Sequence, residues 1–218
     1  MNVLDLFIEY KHYYIIGIKI TILLSFLSLI AGVILGTILC LLKMSKYKLL
    51  SILSTVYIEI VRGTPMMVQI AIVYFGSYVM MGVNVDGFIA ALIAVSLNSA
   101  AYVAEIIRSG IQSIDKGQWE ASRSLGLSNK QTMRHIILPQ AIKNILPALG
   151  NEFVTLIKET AVASTIGVAD LMYASKIVQS SSYQPFNPLV IVAVIYFLLT
   201  FTLSQLIGIF ERRLSHSD

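Results

Sequence analysis

The stretch YIIGIKITILLSFLSLIAGVILGTILCLL, residues 14–42, carries one charge, Lys19, in an otherwise apolar or small-residue run. About 20 apolar residues at 1.5 Å rise suffice to cross roughly 30 Å of hydrocarbon, so this run is read as a transmembrane helix. Four further stretches follow. Residues 49–81 are interrupted by Glu59, Arg62, Gly63 and Pro65, and residues 87–107 carry Glu105 near their end. Residues 145–171 are the most polar, with Asn151, Glu152, Lys158 and Glu159, and residues 188–210 carry no charge. The expectation is an all-α integral membrane protein with five transmembrane helices, residues 1–218 forming a single domain.

Composition agrees. The chain is 56% apolar and only 13% charged, against about a quarter charged in soluble domains. That leaves too little polar surface for a monomer in water. The formal net charge of +4 reports topology rather than nucleic-acid binding, because the basic residues gather in loops. Of the 16 Lys and Arg, 11 fall in the segments after the first span, between the third and fourth, and in the tail. Lys11, Lys19 and Lys176 fall on the other side. The positive-inside rule then places the C-terminus in the cytoplasm and the N-terminus outside, which an odd number of spans requires. The first run is too long for the apolar core of a cleavable signal, so it is taken as a retained span and the chain as starting near Met1. Cys40 lies alone inside an apolar run and is expected to face lipid or another helix.

The longest polar segment, about 111–142, has internal order. Asp115-Lys-Gly117 reads as a turn and Gln118 to Leu125 as a short helix closed by Gly126. Ser128-Asn-Lys-Gln131 has capping-box spacing and starts a second helix, and Leu138-Pro139 marks an expected break. Two short helices around a glycine make a compact projection on the cytoplasmic face.

These residues carry a specific resemblance. Glu120-Ala121-Ser122, three residues, Gly126, nine residues and Ile136-Ile-Leu138-Pro139 resemble the EAA motif of permease subunits of ATP-binding-cassette importers. Ser122 stands where the motif has its second alanine. Tyr57-Ile-Glu59-Ile-Val-Arg62-Gly63-Thr64-Pro65 resembles the signature of the polar amino-acid permeases within that group. So do Ala100-Ala-Tyr102-Val-Ala-Glu105-Ile-Ile-Arg108, Leu149-Gly-Asn151-Glu152-Phe, Lys158-Glu159-Thr160 and Thr165-Ile-Gly167-Val. The motifs occur in order from the first span to the tail. The resemblance implies the type I importer permease fold in a bacterial cytoplasmic membrane. It also implies a coupling helix at Glu120, Ala121, Ser122, Gly126 and Leu127 that docks on an ATPase, with Ala121, Ser122 and Gly126 as small contact residues. The implied partners are two cytoplasmic ATPase subunits holding ATP and Mg, a second permease copy or a homologous permease, and an extracytoplasmic amino-acid-binding protein. No cofactor is expected on this chain.

Ionisable residues inside spans usually pair or line a polar cavity. The break at Arg62-Gly-Thr-Pro65 would free backbone amides. Half-helix N-termini can hold substrate carboxylates, so Gly63 and Thr64 become candidate carboxylate ligands. The competing reading is a structural kink with Glu59 and Arg62 paired. Asn98, Tyr102 and Glu105 share one helix face. Asn98 is the candidate substrate contact, and Glu105 with Arg108 a structural ion pair. Glu152, Thr155 and Glu159 share another stripe, next to that of Asn151 and Lys158. Related permeases tend to carry a shorter residue after that lysine. Glu159 is taken as a candidate ligand for a substrate amino or guanidinium group, with Lys158 beside it and Asp86 as a second choice at the outer mouth. A salt bridge of Glu159 with Lys158 or Arg108 is the alternative. A preference for cationic amino acids (arginine, lysine, histidine) follows loosely. Gly32-Val-Ile-Leu-Gly36 has GxxxG spacing, which permits close packing, within the chain or in a dimer.

Two other function classes compete with this reading. An ion- or proton-coupled secondary transporter would share the buried charges but needs no rigid cytoplasmic projection. A membrane enzyme needs a converging nucleophile and base, yet His12, His135 and His216 form no cluster in the sequence. A GxxxxGK[ST] phosphate loop is lacking, so ATP hydrolysis is expected on a separate subunit.

Overall fold

The computed structural model describes residues 2–215; Met1 and His216 lie outside it. Helix α1 runs Val3–Lys43, 41 residues, about 60 Å at the α-helical rise and twice a bilayer core. It begins 11 residues before the expected span. Asn2 caps it by accepting from the Asp5 amide at 2.8 Å, so the helix starts ahead of the apolar run and takes in Asp5, Glu9 and Lys11.

Down one side of α1 lies a buried stripe of small residues: Gly17, Thr21, Ser25, Ser28, Gly32, Gly36 and Cys40. Its upper members, Gly17, Thr21 and Ser25, meet Leu171 and Thr160, while Gly32, Gly36 and Cys40 pack against helix α4, Gly87–Gln112, whose buried face is rich in alanine: Ala90, Ala91, Ala94, Ala100, Ala101 and Ala104. Lipid tails compete with apolar side chains for helix surface, so helices in a bilayer associate where backbones can approach closely. A Cβ on Gly32 would lie 2.6 Å from the Ser99 Oγ, and one on Gly36 would lie 2.8 Å from the Ala100 carbonyl oxygen. The GxxxG pair is therefore used within the chain. Cys40 is buried in the same interface with Ile58, Ala101 and Ala104.

Among the described residues three helices are long and apolar enough to cross a membrane unbroken: α1, α4 and a C-terminal helix α9, Asn187–Ser215. The expected second and fourth spans are each a bent pair. Helices α2, Lys48–Gly63, and α3, Met66–Met81, meet at 105°. Proline has no N–H to extend α2, and Thr64 before it is extended at φ −112°, ψ 141°, as the residue preceding a proline prefers. Further on, helix α7, Leu138–Glu159, tightens into a 3₁₀ stretch, Thr160–Ile166, and ends at Gly167 with φ +84°. Helix α8, Leu171–Ser182, then leaves at 49°. The bundle thus has up to five spans among the described residues. The expected external loop at 180–188 shortens, since α8 continues to Ser182 before Tyr183 turns left-handed.

Between α4 and α7 lie two short helices, α5, Lys116–Ser124, and α6, Asn129–Thr132. The expected break at Leu138-Pro139 is absent. A π-helical stretch, Met133–Ile137, runs straight into α7, and the Leu138 amide donates to the Met133 carbonyl. The wider turn absorbs the proline, which falls in the first turn of α7 where its missing N–H costs little.

Replacing Gly36 by Val should force α1 off α4, where the obstacle is backbone. The expected cost is about 1–3 kcal/mol or more. A thermal-unfolding scan in detergent would show it as a lowered Tm, with a smaller effect for Gly208→Val, whose Cβ would meet nothing.

Candidate functional site

The bend after α2 is a built polar node. Gln69, one turn into α3, sends its Nε2 amide to the Val61 carbonyl at 2.8 Å, the Thr64 carbonyl at 3.0 Å and Thr64 Oγ1 at 2.9 Å. The Thr64 hydroxyl in turn donates to the Ile60 carbonyl at 3.0 Å. Gln69 thereby satisfies acceptors that the break strips of helical donors. Its Oε1 accepts from Asn98 Nδ2 at 3.1 Å, joining the break to the middle of α4. Asn98 is only 4% exposed, and its Oδ1 has no partner. Such a buried acceptor is costly unless something supplies a donor. At the head of α3 the Val68 and Gln69 amides both turn back to the Pro65 carbonyl. The Met66 and Met67 amides carry no hydrogen bond among the described residues. Gly63 and Thr64, the candidate carboxylate ligands, are exposed at this break. Gln69 was missed, although an amide four residues past a mid-span proline was the signal for it.

Glu105 anchors the α5 end of the bundle. Its carboxylate takes Lys43 Nζ at 2.6 Å and Arg108 Nη2 at 2.7 Å, with Arg62 Nη1 at 4.0 Å. The expected Glu105–Arg108 pair is present and enlarged by Lys43, counted from sequence only as a loop charge. The expected Glu59–Arg62 pair is not formed. Glu59 is exposed, whereas the Arg62 guanidinium lies over the Tyr102 ring, 5.4 Å from its centroid. The ring and Glu105 together draw it toward α4.

On α7, Glu159 is half-buried with no ion pair or hydrogen bond among the described residues, and Lys158 is exposed. The alternative bridge to Arg108 fails because that guanidinium is spent on Glu105 and Gln112. Glu152, two turns earlier on the same stripe, is buried and accepts from Ser99 Oγ at 3.0 Å, pinning α7 to α4. Asp86 caps α4, accepting from the Phe88 and Ile89 amides at 2.9 and 3.3 Å. Its expected role at the outer mouth therefore competes with a helix cap.

The segment between α4 and α7 forms a firm knob. Ser128 and Gln131 make the full capping box on α6, and Gly126 has φ +84°. Glu120 and Ala121 are exposed, and Leu125 is 81% exposed at the tip. Ser122 points inward, against the expectation that it lies on the contact surface. Its hydroxyl donates to the Trp119 carbonyl at 2.9 Å and bonds Thr132 Oγ1 at 3.1 Å, tying α5 to α6. The Leu127 amide closes the turn on the Ser122 carbonyl.

Residues 13–216 match the family described as binding-protein-dependent transport system inner membrane component. The chain belongs to this family. Its relatives include a putative glutamine transport system permease protein, GlnP, of Rickettsia bellii, 42% identical over 91% of both chains. The arginine transport system permease protein ArtQ of Bacillus subtilis is 43% identical over 93% of this chain and 92% of its own. The crystal structure of an amino acid ABC transporter with histidines contains a chain that superposes with a TM-score of 0.94 at 47% identity, covering 98% of this chain and 99% of that one. A MetNI methionine ABC transporter chain, at 21% identity and a TM-score of 0.77, shares the fold. The chain is thus a multi-pass membrane permease of the ABC importer type.

Replacing Gln69 by Leu strands the acceptors at Val61 and Thr64 and the amide of Asn98. The expected loss is about 1–3 kcal/mol of stability, seen as a lowered Tm, while Gln69→Glu restores only the link to Asn98.

Proposed function

We propose that this chain is the pore-forming subunit of an ATP-driven importer that brings polar amino acids into a bacterial cytoplasm, with a preference for cationic ones. The observation that carries the reading is the node where the broken α2–α3 pair meets α4. Open amides at Met66 and Met67 and the partnerless Oδ1 of buried Asn98 suit the carboxylate and ammonium of one amino acid. Relatives named for glutamine and arginine transport support the substrate class. Glu159, in no salt bridge among the described residues, supplies the negative charge a guanidinium or ammonium side chain would meet, with Lys158 next to it in the chain and Gly63 at the α2–α3 break.

In this reading the α5 end lies in the cytoplasm and the N-terminus outside, as the distribution of basic residues requires. An extracytoplasmic binding protein delivers the amino acid. Two ATPase subunits, holding ATP and Mg, grip the knob at Glu120, Ala121 and Leu125, and a second permease copy or a homologous permease completes the pore. An ion- or proton-coupled carrier would have no use for an exposed, doubly braced knob of this kind.

The test is to co-express the chain with its ATPase, reconstitute the complex in liposomes and measure ATP hydrolysis with binding protein and each polar amino acid. Stimulation by arginine, lysine or histidine should fall at least about tenfold in Glu159→Gln, the loss expected for a charge-assisted contact. Unchanged stimulation would reassign charge preference to the binding protein. Leu125→Asp places a charge at the tip and should lose the ATPase on gel filtration while leaving the permease's own Tm in place.

A further inference from the structure

Below Asn98 the polar face of α4 continues. Tyr102, Glu105, Ser109 and Ser113 follow at intervals of three or four residues, one stripe descending toward the α5 end. From Asn98 to Ser109 that is about 16 Å along the axis. The lower part of the stripe opens on a groove of about 440 Å³, closed on its far side by α7 through Asn144 and lipped by Arg62. Asn144 Nδ2 donates to Ser113 Oγ at 2.9 Å at the groove's end.

Arg62 is the feature that the bundle's own bonding leaves over. Its side chain is 39% exposed. It is held over Tyr102 and near Glu105, yet it makes no hydrogen bond among the described residues. Glu105 is already bound more closely by Lys43 and Arg108. The cluster therefore carries three cations against one carboxylate. A planar guanidinium, fixed on an aromatic ring with its donors unspent, is preorganised for bidentate contact with a carboxylate. It also adjoins Gly63 and Thr64 in the chain, so it stands next to the node described above.

We infer that Arg62 is a second carboxylate-binding station, at the inner mouth of the pathway, which takes the amino acid's carboxylate as it leaves the Thr64–Gln69–Asn98 node and passes down the α4 stripe. This rests on the importer reading. Glu105 keeps the station from becoming a trap, because it shares the guanidinium's charge. A high internal amino-acid concentration would fill the same station and slow release.

The test uses the permease–ATPase complex in nanodiscs, without ATP, carrying Ser109→Cys. The only native cysteine of this chain, Cys40, is buried, so the parent chain gives the labelling background. Rates are measured for an anionic (sulfonatoethyl) and a cationic (trimethylammonioethyl) methanethiosulfonate. Protection is then measured with arginine and glutamine and with their decarboxylated counterparts, agmatine and 4-aminobutanamide. The expected result is labelling that favours the anion about tenfold, slowed by the amino acid that the complex transports and not by its decarboxylated form. Arg62→Gln should abolish both the anion preference and the protection. Arg62→Lys should keep the preference while weakening protection about tenfold, the loss of a charge-assisted fork. Absence of labelling, equal protection by the decarboxylated form, or unchanged protection in both Arg62 variants would each overturn the proposal. Should Arg62→Gln fail to assemble, Arg62→Lys alone decides it. Binding-protein-driven uptake by the parent complex separates the two readings. Uptake without protection at Ser109→Cys removes the inner station only, whereas no uptake of any polar amino acid removes the importer reading itself.

Discussion

Everything else in the bundle depends on how closely α1 lies against α4. In a bilayer, apolar bulk gives no advantage at a helix contact, because lipid solvates leucine as well as a neighbouring helix does. Gly32 and Gly36 of α1 solve this by letting the helices approach closely, and the alanines of α4 complete it. The consequence is directional. Once the alanine face of α4 is committed to α1, the face bearing Tyr102, Glu105 and Ser109 is turned toward α2 and α7. Packing on one side of a helix thereby decides where the polar chemistry on its other side is displayed. Glu152 reinforces the choice, since its bond from Ser99 fixes α7 beside the same helix.

The second constraint is backbone satisfaction. Water cannot repair a broken helix inside hydrocarbon, so irregular backbone survives there only where protein groups or a polar cavity replace the missing bonds. Two breaks occur, and each has its repair. At Thr64-Pro65 the amide of Gln69 serves three acceptors at once. Near Gly167 the Leu171 amide finds Thr21 Oγ1 at 3.1 Å, and Asp170 accepts from the Tyr173 amide at 2.7 Å. The first repair is incomplete, leaving two amides and one carbonyl oxygen open. The second leaves one carboxylate oxygen of Asp170 without a partner, in a spot fully shielded from solvent. The first adjoins exposed residues, Gly63, Thr64 and Met67, whereas the second is enclosed within the bundle.

The sequence was legible where local rules act alone. Apolar length announced the membrane helices, Gly126 and the Ser128–Gln131 spacing announced the knob, and Arg62-Gly-Thr-Pro65 announced the break. It was less legible where the answer lies in a partner far along the chain. Arg62 was expected to pair with Glu59, three residues away on the same helix, but Tyr102 and Glu105 on another helix outcompete it. Ser122 looked like a small surface residue because spacing cannot say which way a turn faces. Its hydroxyl turned out to brace the knob from within. Pro139 looked like a break because the wider π turn that absorbs it leaves no mark in composition. Gln69 escaped notice because its worth comes from three acceptors that only the 105° bend brings together.

The absence of a break at Pro139 bears on how force could pass through the chain. Helix α4 ends at Gln112, and α5 begins four residues later at Lys116. On the other side α6, the π turn and α7 are continuous. Ile111, Ile137, Ala141 and Ile145 form a small apolar core at that junction, with Trp119 of the knob packed on it. A displacement at the tip of α5 therefore passes through this core and only the short links 113–115 and 125–128. It acts at once on α4, which carries Asn98 and Glu105, and on α7, which carries Glu159. Since the polar face lies between these two helices, any change in their separation opens or narrows it. Close packing makes such a junction shift as a unit rather than deform gradually. The knob, the polar stripe and the node at the α2–α3 bend are then parts of one mechanical element.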